Sequence, residues 1–317
     1  MLDLCPTRSD SVEDMRARTL GDGGPEVSLV GLGTNNFGGR CDYEESRAVI
    51  DAALRAGITL FDTADIYTQG ASEEYIGRAL AGRREGVLLA TKFGKPMNDG
   101  PDLPRGSREY VRWAVEGSLR RLQTETIDLY QMHEPDPETP VEETLGALSE
   151  LVAEGKVRYV GSSNYSVGQI EEADRLARER GLVRFVAVQN HYSLVERGAE
   201  DELLPACERL GLGMLPYFPL ASGLLTGKYR RGERPTQGRL AGREIPEERF
   251  DRLEALQRFA DERGVSLLEV AIGGLAAMPA IASVIAGATR PEQVRANVRA
   301  GEWEPDAADV AALKALR

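Results

Sequence analysis

The chain has 317 residues, 42% hydrophobic and 28% charged, which is enough apolar material for a substantial folded core. Its 39 basic and 51 acidic residues leave a formal charge of −12, which repels polyanions and argues against nucleic acid or an anionic membrane as the main partner. No apolar run approaches the roughly 18 residues of a membrane helix, "MLDLCPTRSDSVEDMR" has no signal-peptide core, and Cys5, Cys41 and Cys207 lack the spacing of a disulfide framework or zinc site. A cytoplasmic protein with reduced thiols and no metal is expected.

In chain order, residues 1–14 are polar and read as a loose tail. The stretch "RARTLGDGGPEVSLVGLG" then reads as two short strands around a glycine-rich turn, a β-hairpin. From there one pattern recurs. Apolar, β-rich runs appear at "SLVGLGT", "TLFDTA", "GVLLATKFG", "IDLYQMH", "VRYVGSSN", "RFVAVQNHY", "GMLPYFP" and "IASVIAGAT". Between them lie segments such as "YEESRAVIDAALRAG", "SREYVRWAVEGSLRRLQ", "PVEETLGALSELVAEGK" and "SVGQIEEADRLARERG", with apolar residues three and four apart.

Strands that are apolar throughout are buried on both faces, as in a parallel sheet with helices outside it. Eight such units predict an α/β fold, a (β/α)8 TIM barrel forming a single domain over residues 1–317. The competing doubly wound open sheet needs an early GxGxxG opening a helix, and "GLGTNNFGG" lacks the third glycine at that spacing. Two segments interrupt the rhythm. "PLASGLLTGKYRRGERPTQGRLAGREIP" is a long basic loop after strand seven, and "VSLLEVAIGGLAAMP" is an added helix before strand eight. "PDAADVAALKALR" reads as an extra C-terminal amphipathic helix packed outside the barrel.

In such a barrel the carboxyl ends of the strands converge on one face. Those ends carry Asp62, Lys92, His133, Ser163, Asn164, Gln189 and Tyr217, with Tyr67 in the loop after Asp62. Singly, each has a bland reading: a strand-end aspartate caps a helix, a loop tyrosine packs, a lysine is solvated. Together they have a chemical use. A phenol titrates near 10, and a nearby ammonium favours its anion and lowers that value. Lys92 is placed to supply the ammonium, Asp62 to hold it, and His133 to donate a hydrogen bond to a substrate oxygen, a set that polarises and protonates a carbonyl. His191, past the end of strand six, reads as structural or pocket-lining.

The segments "GITLFDTADIY", "ATKFG", "DLYQMHEPDPETPVEETLGALSELVAEGKVRYVGSSNYS", "PYFPLASGLLTGKY" and "SVIAGATRPEQVRANV" resemble, in the same order, those of the aldo-keto reductases, over nearly the whole chain from about Arg16. The resemblance implies an NAD(P)H-dependent oxidoreductase that reduces an aldehyde or ketone by hydride transfer. It makes Tyr67 the general acid, tuned by Lys92 and Asp62, with His133 orienting the carbonyl. It also implies a cofactor site. Ser163, Asn164 and Gln189 would meet the nicotinamide carboxamide and Tyr217 its ring, while Phe218, Pro219, Leu220, Ala221 and Ser222 would run along the pyrophosphate with Lys228 and Arg239. Gly287, Thr289, Gln293 and Asn297 would hold the adenosine end, and Thr34 and Asn35 would border the nicotinamide or substrate.

The sequence departs from that pattern in places. Phe218 stands where serine is common and Ala296 where glutamate is common. Gly287 and Gln293 occupy positions where some members place Lys and Arg on the 2'-phosphate, so Arg290 is the guanidinium left to grip it. NADP(H) is favoured on that ground, with NAD(H) the alternative.

Three other functional classes compete. A cofactor-binding, redox-sensing regulatory subunit, as in potassium-channel β subunits, would share the fold, but those relatives have asparagine at the position of His133. An alcohol or sugar dehydrogenase would use the same residues in the oxidative direction. A barrel aldolase would need Lys92 free of a carboxylate. The expected partner is a small carbonyl or alcohol, met by the loops around "NNFGGR" and "GKPMNDGPDLPRGS" and by the C-terminal end, with Asn35, Asn36, Phe37, Arg40, Met97, Asp99 and Arg105 as candidate lining.

Overall fold

A computed structural model describes residues 15–316 except 234 and 237, so the tail expected over 1–14 lies outside the described residues. The chain opens with the hairpin β1 (Ala17–Thr19) and β2 (Glu26–Ser28), antiparallel with Ala17 opposite Ser28. Leu20 and Val27, both fully buried, point from it into the base of the barrel. Asp22 N donates to Gly211 O at 2.7 Å, which ties the hairpin to the segment entering β9. The amino-terminal end is therefore the closed end.

Eight parallel strands follow: β3 (Val30–Gly33), β4 (Leu60–Asp62), β5 (Leu88–Phe93), β6 (Ile127–Met132), β7 (Val157–Ser163), β8 (Phe185–Gln189), β9 (Gly213–Met214) and β10 (Val284–Gly287). They pair in the order β10-β3-β4-β5-β6-β7-β8-β9. Met214 pairs in parallel with Ile281 ahead of β10, its N–H donating to Ala280 O at 2.7 Å, and this joins the two ends of the sheet. The result is a (β/α)8 barrel, as the eight apolar runs require.

Among the described residues, ten helices accompany the strands: α1 (Tyr43–Arg55), α2 (Ala71–Leu80), α3 (Arg108–Leu122), α4 (Val141–Ala153), α5 (Val167–Arg180), α6 (Leu203–Leu210), α7 (Glu247–Arg263), α8 (Leu267–Ala276), α9 (Pro291–Ala300) and α10 (Ala307–Ala315). Reciprocal capping boxes start four of them, at Asp42/Glu45, Ser166/Gln169, Ser266/Glu269 and Asp306/Asp309, each satisfying two otherwise orphaned backbone donors. Helix α2 packs so close to α3 that a Cβ on Gly77 would lie 2.4 Å from Arg121 O. Helix α7 is additional to the segments expected from sequence; it follows the long loop and buries Phe250, Leu253, Leu256, Phe259 and Ala260 along one stripe. The C-terminal α10 is more lightly attached than an amphipathic helix would be, since Leu313 is its only buried residue.

Two apolar layers result. The larger lies between strands and helices. The smaller fills the barrel with Leu60, Leu88, Ala90, Leu129, Ala187, Leu215, Ala282 and Ile285 above the hairpin's Leu20 and Val27. Side chains alternate along a strand, so the next inward positions after Leu60, Ala90, Leu129 and Ala187 are Asp62, Lys92, Gln131 and Gln189. The polar site is the top layer of the barrel interior.

Candidate active site

Lys92 is fully buried, and its ammonium is held by three oxygens: Asp62 Oδ1 and Oδ2, each at 2.8 Å, and Thr63 O at 2.7 Å. Asp62 Oδ1 also accepts from Gln189 Nε2 at 2.8 Å. The backbone around this pair is fixed by Thr34, whose N–H and hydroxyl both donate to Asp62 O, and by a chain of hydroxyls from Thr34 through Ser72 to Thr63. A lysine with its nitrogen saturated in this way is not a free amine, which argues against Schiff-base chemistry.

Tyr67 follows in a tight 3-10 turn, Tyr67–Gly70, with Thr68 and Gln69 at positive φ of 49° and 54°. Its phenol interacts electrostatically with Lys92, whose nitrogen lies 5.3 Å from the ring centre. His133 meets the Tyr67 ring edge-on, 5.9 Å between centres. Burial pulls the Lys92 ammonium down, but Asp62 and Tyr67 raise it more, and the net value is above the ordinary one. The phenol behaves differently from the expectation above. Burial raises Tyr67, Lys92 pulls it back only in part, and the net shift is upward. The reason is that desolvation of the buried phenol outweighs the field of the ammonium, with Asp62 adding a smaller upward push, so Tyr67 is a protonated phenol, a donor rather than a phenolate. His133 is driven down to about 2 by burial, with Lys92 and Lys95 adding to it, so its imidazole is neutral. Its Nδ1 is buried without a protein hydrogen-bond partner.

These groups open into a cavity of about 390 Å³. Of the sequence-derived candidates, Thr34, Asn35, Asp62, Tyr67, His133, Ser163, Asn164, Gln189, Tyr217, Phe218, Pro219, Leu220, Ser222, Lys228, Arg239, Gly287, Thr289 and Gln293 line it. Four others do not. Lys92 and Ala221 are buried behind the wall, Asn297 is buried on the inner side of α9, and Arg290 stands exposed at the N-cap of that helix. Of the loop residues, Asn36 and Arg40 reach the cavity, whereas Phe37 is in the core and Met97, Asp99 and Arg105 are not part of the lining.

The cavity wall has distinct parts. Asn164, itself at positive φ (61°), donates to His133 O at 2.9 Å and accepts from the Tyr217 hydroxyl at 2.8 Å. Phe218, Ala221 and Ser222 are also left-handed, at φ of 53°, 46° and 61°, a conformation that costs free energy in residues with a Cβ and gathers at functional sites. Lys228 Nζ lies against two left-handed glycines, where a Cβ would approach to 3.3 Å at Gly223 and 3.2 Å at Gly238. From the long loop, Arg239 crosses to Asn35 Oδ1 and Asn36 Oδ1 at 2.9 and 2.8 Å, with its guanidinium 5.2 Å from the centre of Phe218. At the far end, Gln293 Oε1 accepts from Thr289 N and Oγ1 at 2.7 and 3.2 Å, closing the start of α9.

A second buried polar cluster, which pattern reading did not isolate, lies behind Lys92. Glu73 accepts from Arg121 Nε at 2.7 Å and from Thr91 Oγ1 at 2.5 Å. Asp65 accepts from Ile66 N at 2.6 Å, while its Oδ2 and the Tyr130 hydroxyl are buried without protein partners. Burial and Glu73 push Asp65 up to about 8. The available signal was the second aspartate of "DTADIY" in an apolar setting, but only packing shows where it points.

The aldo/keto reductase family model matches residues 29–317. An uncharacterized oxidoreductase, YrpG, of Bacillus subtilis is 40% identical, over 90% of this chain and 91% of its own. A probable voltage-gated potassium channel subunit beta of Oryza sativa is 36% identical over 90% and 91%, and L-glyceraldehyde 3-phosphate reductase of Escherichia coli is 34% identical over 90% and 87%. Among solved structures, aldo-keto reductase AKR11C1 from Bacillus halodurans, in its holo form, matches with a TM-score of 0.82 at 34% identity, covering 95% of this chain and 96% of that one. With barrel, site and sequence in agreement, the chain belongs to the aldo/keto reductase family.

Proposed function

We propose that this protein is an NADP(H)-dependent carbonyl reductase in which Tyr67 is the general acid. The observation that carries the reading is the convergence of a protonated Tyr67, a buried Lys92–Asp62 pair and a neutral His133 at one end of the cavity. A neutral imidazole offers an N–H to a carbonyl oxygen without a full charge. The Tyr67 phenol is then within the same oxygen's reach to give its proton, and Lys92 stabilises the phenolate left behind.

A nicotinamide dinucleotide suits the donors along the wall and would supply the hydride when bound. Asn164, Ser163 and Gln189 are amide- and hydroxyl-bearing groups beside the flat ring of Tyr217, suited to a carboxamide. Lys228 and Arg239 carry positive charge into the middle of the cavity, suited to a diphosphate, and Thr289 and Gln293 border the start of α9, where backbone donors favour anions. Arg290, exposed beside Thr289, is the group assigned to a 2'-phosphate and is the basis for preferring NADP(H) to NAD(H). The reading includes a small carbonyl or alcohol as the only other partner and a cytoplasmic location. No helix among the described residues is long and apolar enough to cross a membrane.

The similarity to channel β subunits supports a second reading, a cofactor-binding regulatory subunit with little turnover. The two separate on one experiment: consumption of NADPH with a panel of simple aldehydes and ketones by the wild-type protein and Tyr67→Phe. Turnover that falls by about 10²–10⁴ in the variant, with dinucleotide binding retained, supports the reductase. Tight NADPH binding with no turnover of any carbonyl refutes it. Faster turnover of alcohols with NADP⁺ or NAD⁺ than of carbonyls assigns the same residues to a dehydrogenase.

A further inference from the structure

His191 does not belong to the cavity wall, yet it is in contact with it. Beyond β8 and β9 the chain continues in parallel pairing, His191 opposite Tyr217, with Tyr217 N donating to Asn190 O at 3.2 Å. That backbone register lays the two rings on one another: their centres are 5.3 Å apart and their planes differ by 5°. Phe218 stands edge-on to both, at 88° to His191 and 83° to Tyr217, and fixes the stack from the side. Tyr217 lines the cavity while His191 lines the neighbouring surface groove, so His191 covers the back of the ring whose other face is turned to the cavity.

We infer that His191 discriminates between the oxidation states of a nicotinamide ring stacked on Tyr217, because an imidazolium there repels the cationic oxidised ring and leaves the neutral reduced ring unaffected. The inference rests on the cofactor reading above. Distance and charge set its size. Adding a stacking step to the 5.3 Å separation places the imidazolium roughly 9 Å from the nicotinamide, and an effective dielectric of about 50 then gives a discrimination of about threefold. His133 and His191 are the only histidines in the chain, and His133 stays neutral far into the acid range. The charged groups around His191 are Glu196, paired with Arg249, and Asp201 and Glu202 in the same groove. Burial lowers the imidazole, Glu196 pulls it up and Arg249 down, and the net shift is downward, which places its titration on the acid side of neutrality. A permanent charge would only weaken the oxidised form. A titrating one makes the preference respond to pH.

The test is fluorescence titration of NADPH and NADP⁺ from pH 5.5 to 8 with the wild-type protein and His191→Gln. Both dinucleotides carry the same 2'-phosphate and diphosphate, so the ratio of their Kd values cancels the titration of those groups. The ratio Kd(NADP⁺)/Kd(NADPH) is expected to rise toward pH 5.5 in the wild type, by less than the roughly threefold limit of a fully charged imidazolium because His191 is shifted downward, and to stay level in His191→Gln. A level ratio in the wild type, or a rise that survives in the variant, overturns the inference and leaves the reductase reading standing. Failure of either dinucleotide to bind wild type at any pH overturns both.

Discussion

Replacing Asp65 by asparagine should change the pH dependence of stability with a definite sign and size. The carboxyl is 1% exposed, has Glu73 nearby, and leaves Oδ2 without a protein partner, so its folded-state value is about 8 against an ordinary 3.8. Between those two values the folded protein holds a proton that the unfolded chain has released. Stability conferred relative to an always-ionised unfolded chain is therefore lost as pH rises, at about 1.4 kcal/mol per pH unit. The amide cannot ionise. Asp65→Asn should be close to neutral near pH 4 and more stable than wild type by about 5 kcal/mol near pH 8, with no further gain above that. Arg121 and Lys92, which face the same cluster, pull Asp65 down, and their effect is already contained in its value of about 8. Urea unfolding at half-unit steps from pH 4.5 to 9, comparing midpoints at constant slope, measures it. A wild-type-minus-variant difference that stays flat across that range would show that Asp65 is ionised in the fold and that the account of the cluster is wrong.

Other perturbations test neighbouring parts of the site. His133, held down to about 2, contributes in the opposite sense: the unfolded imidazole takes a proton below about pH 6.5 and the folded one does not, so stability falls as pH drops. His133→Asn should flatten that acid limb in the same urea series, and the wild-type rate profile should show no ionisation of His133 above pH 5. Lys92→Met strands the buried Asp62 charge and should cost about 3–5 kcal/mol in thermal unfolding, much of it recovered in Asp62→Asn/Lys92→Met. Gly77→Ala puts a methyl group 2.4 Å from the Arg121 carbonyl and should destabilise by about 1–3 kcal/mol as α2 and α3 are forced apart, read as a lowered urea midpoint.

Much of this protein is legible before folding. Apolar runs such as "LLATKF" and "IDLYQM" are buried along their whole length and coincide with β5 and β6, because a barrel strand must satisfy an apolar core on one side and helices on the other. Alternation along those strands brings Asp62, Lys92 and Gln189 to the same level, which is why strand ends are a good place to look. The ring of Tyr217 and the amide of Gln189 come to the cavity for the same reason, whereas Asn164 reaches it through its left-handed backbone just past β7. Lys95, Gly223, Thr226, Gly238 and Ala288 also line it without having been singled out, since loop residues carry no periodicity.

What the linear order determines, then, is the repeating unit and the inventory of groups at each strand end, because both follow from side-chain alternation and from the short reach of caps and turns. What tertiary structure decides is charge and contact at long range. Whether Lys92 can bring Tyr67 below its ordinary value depends on how deeply the phenol is buried and on Asp62 beside the ammonium, thirty residues before it. That Asp65 keeps its proton depends on Glu73 and the low polarity around both, and that His191 stacks on Tyr217 depends on two strands running in register. Desolvation and electrostatics sum over everything packed around a group, and that surrounding set exists only once the barrel has closed.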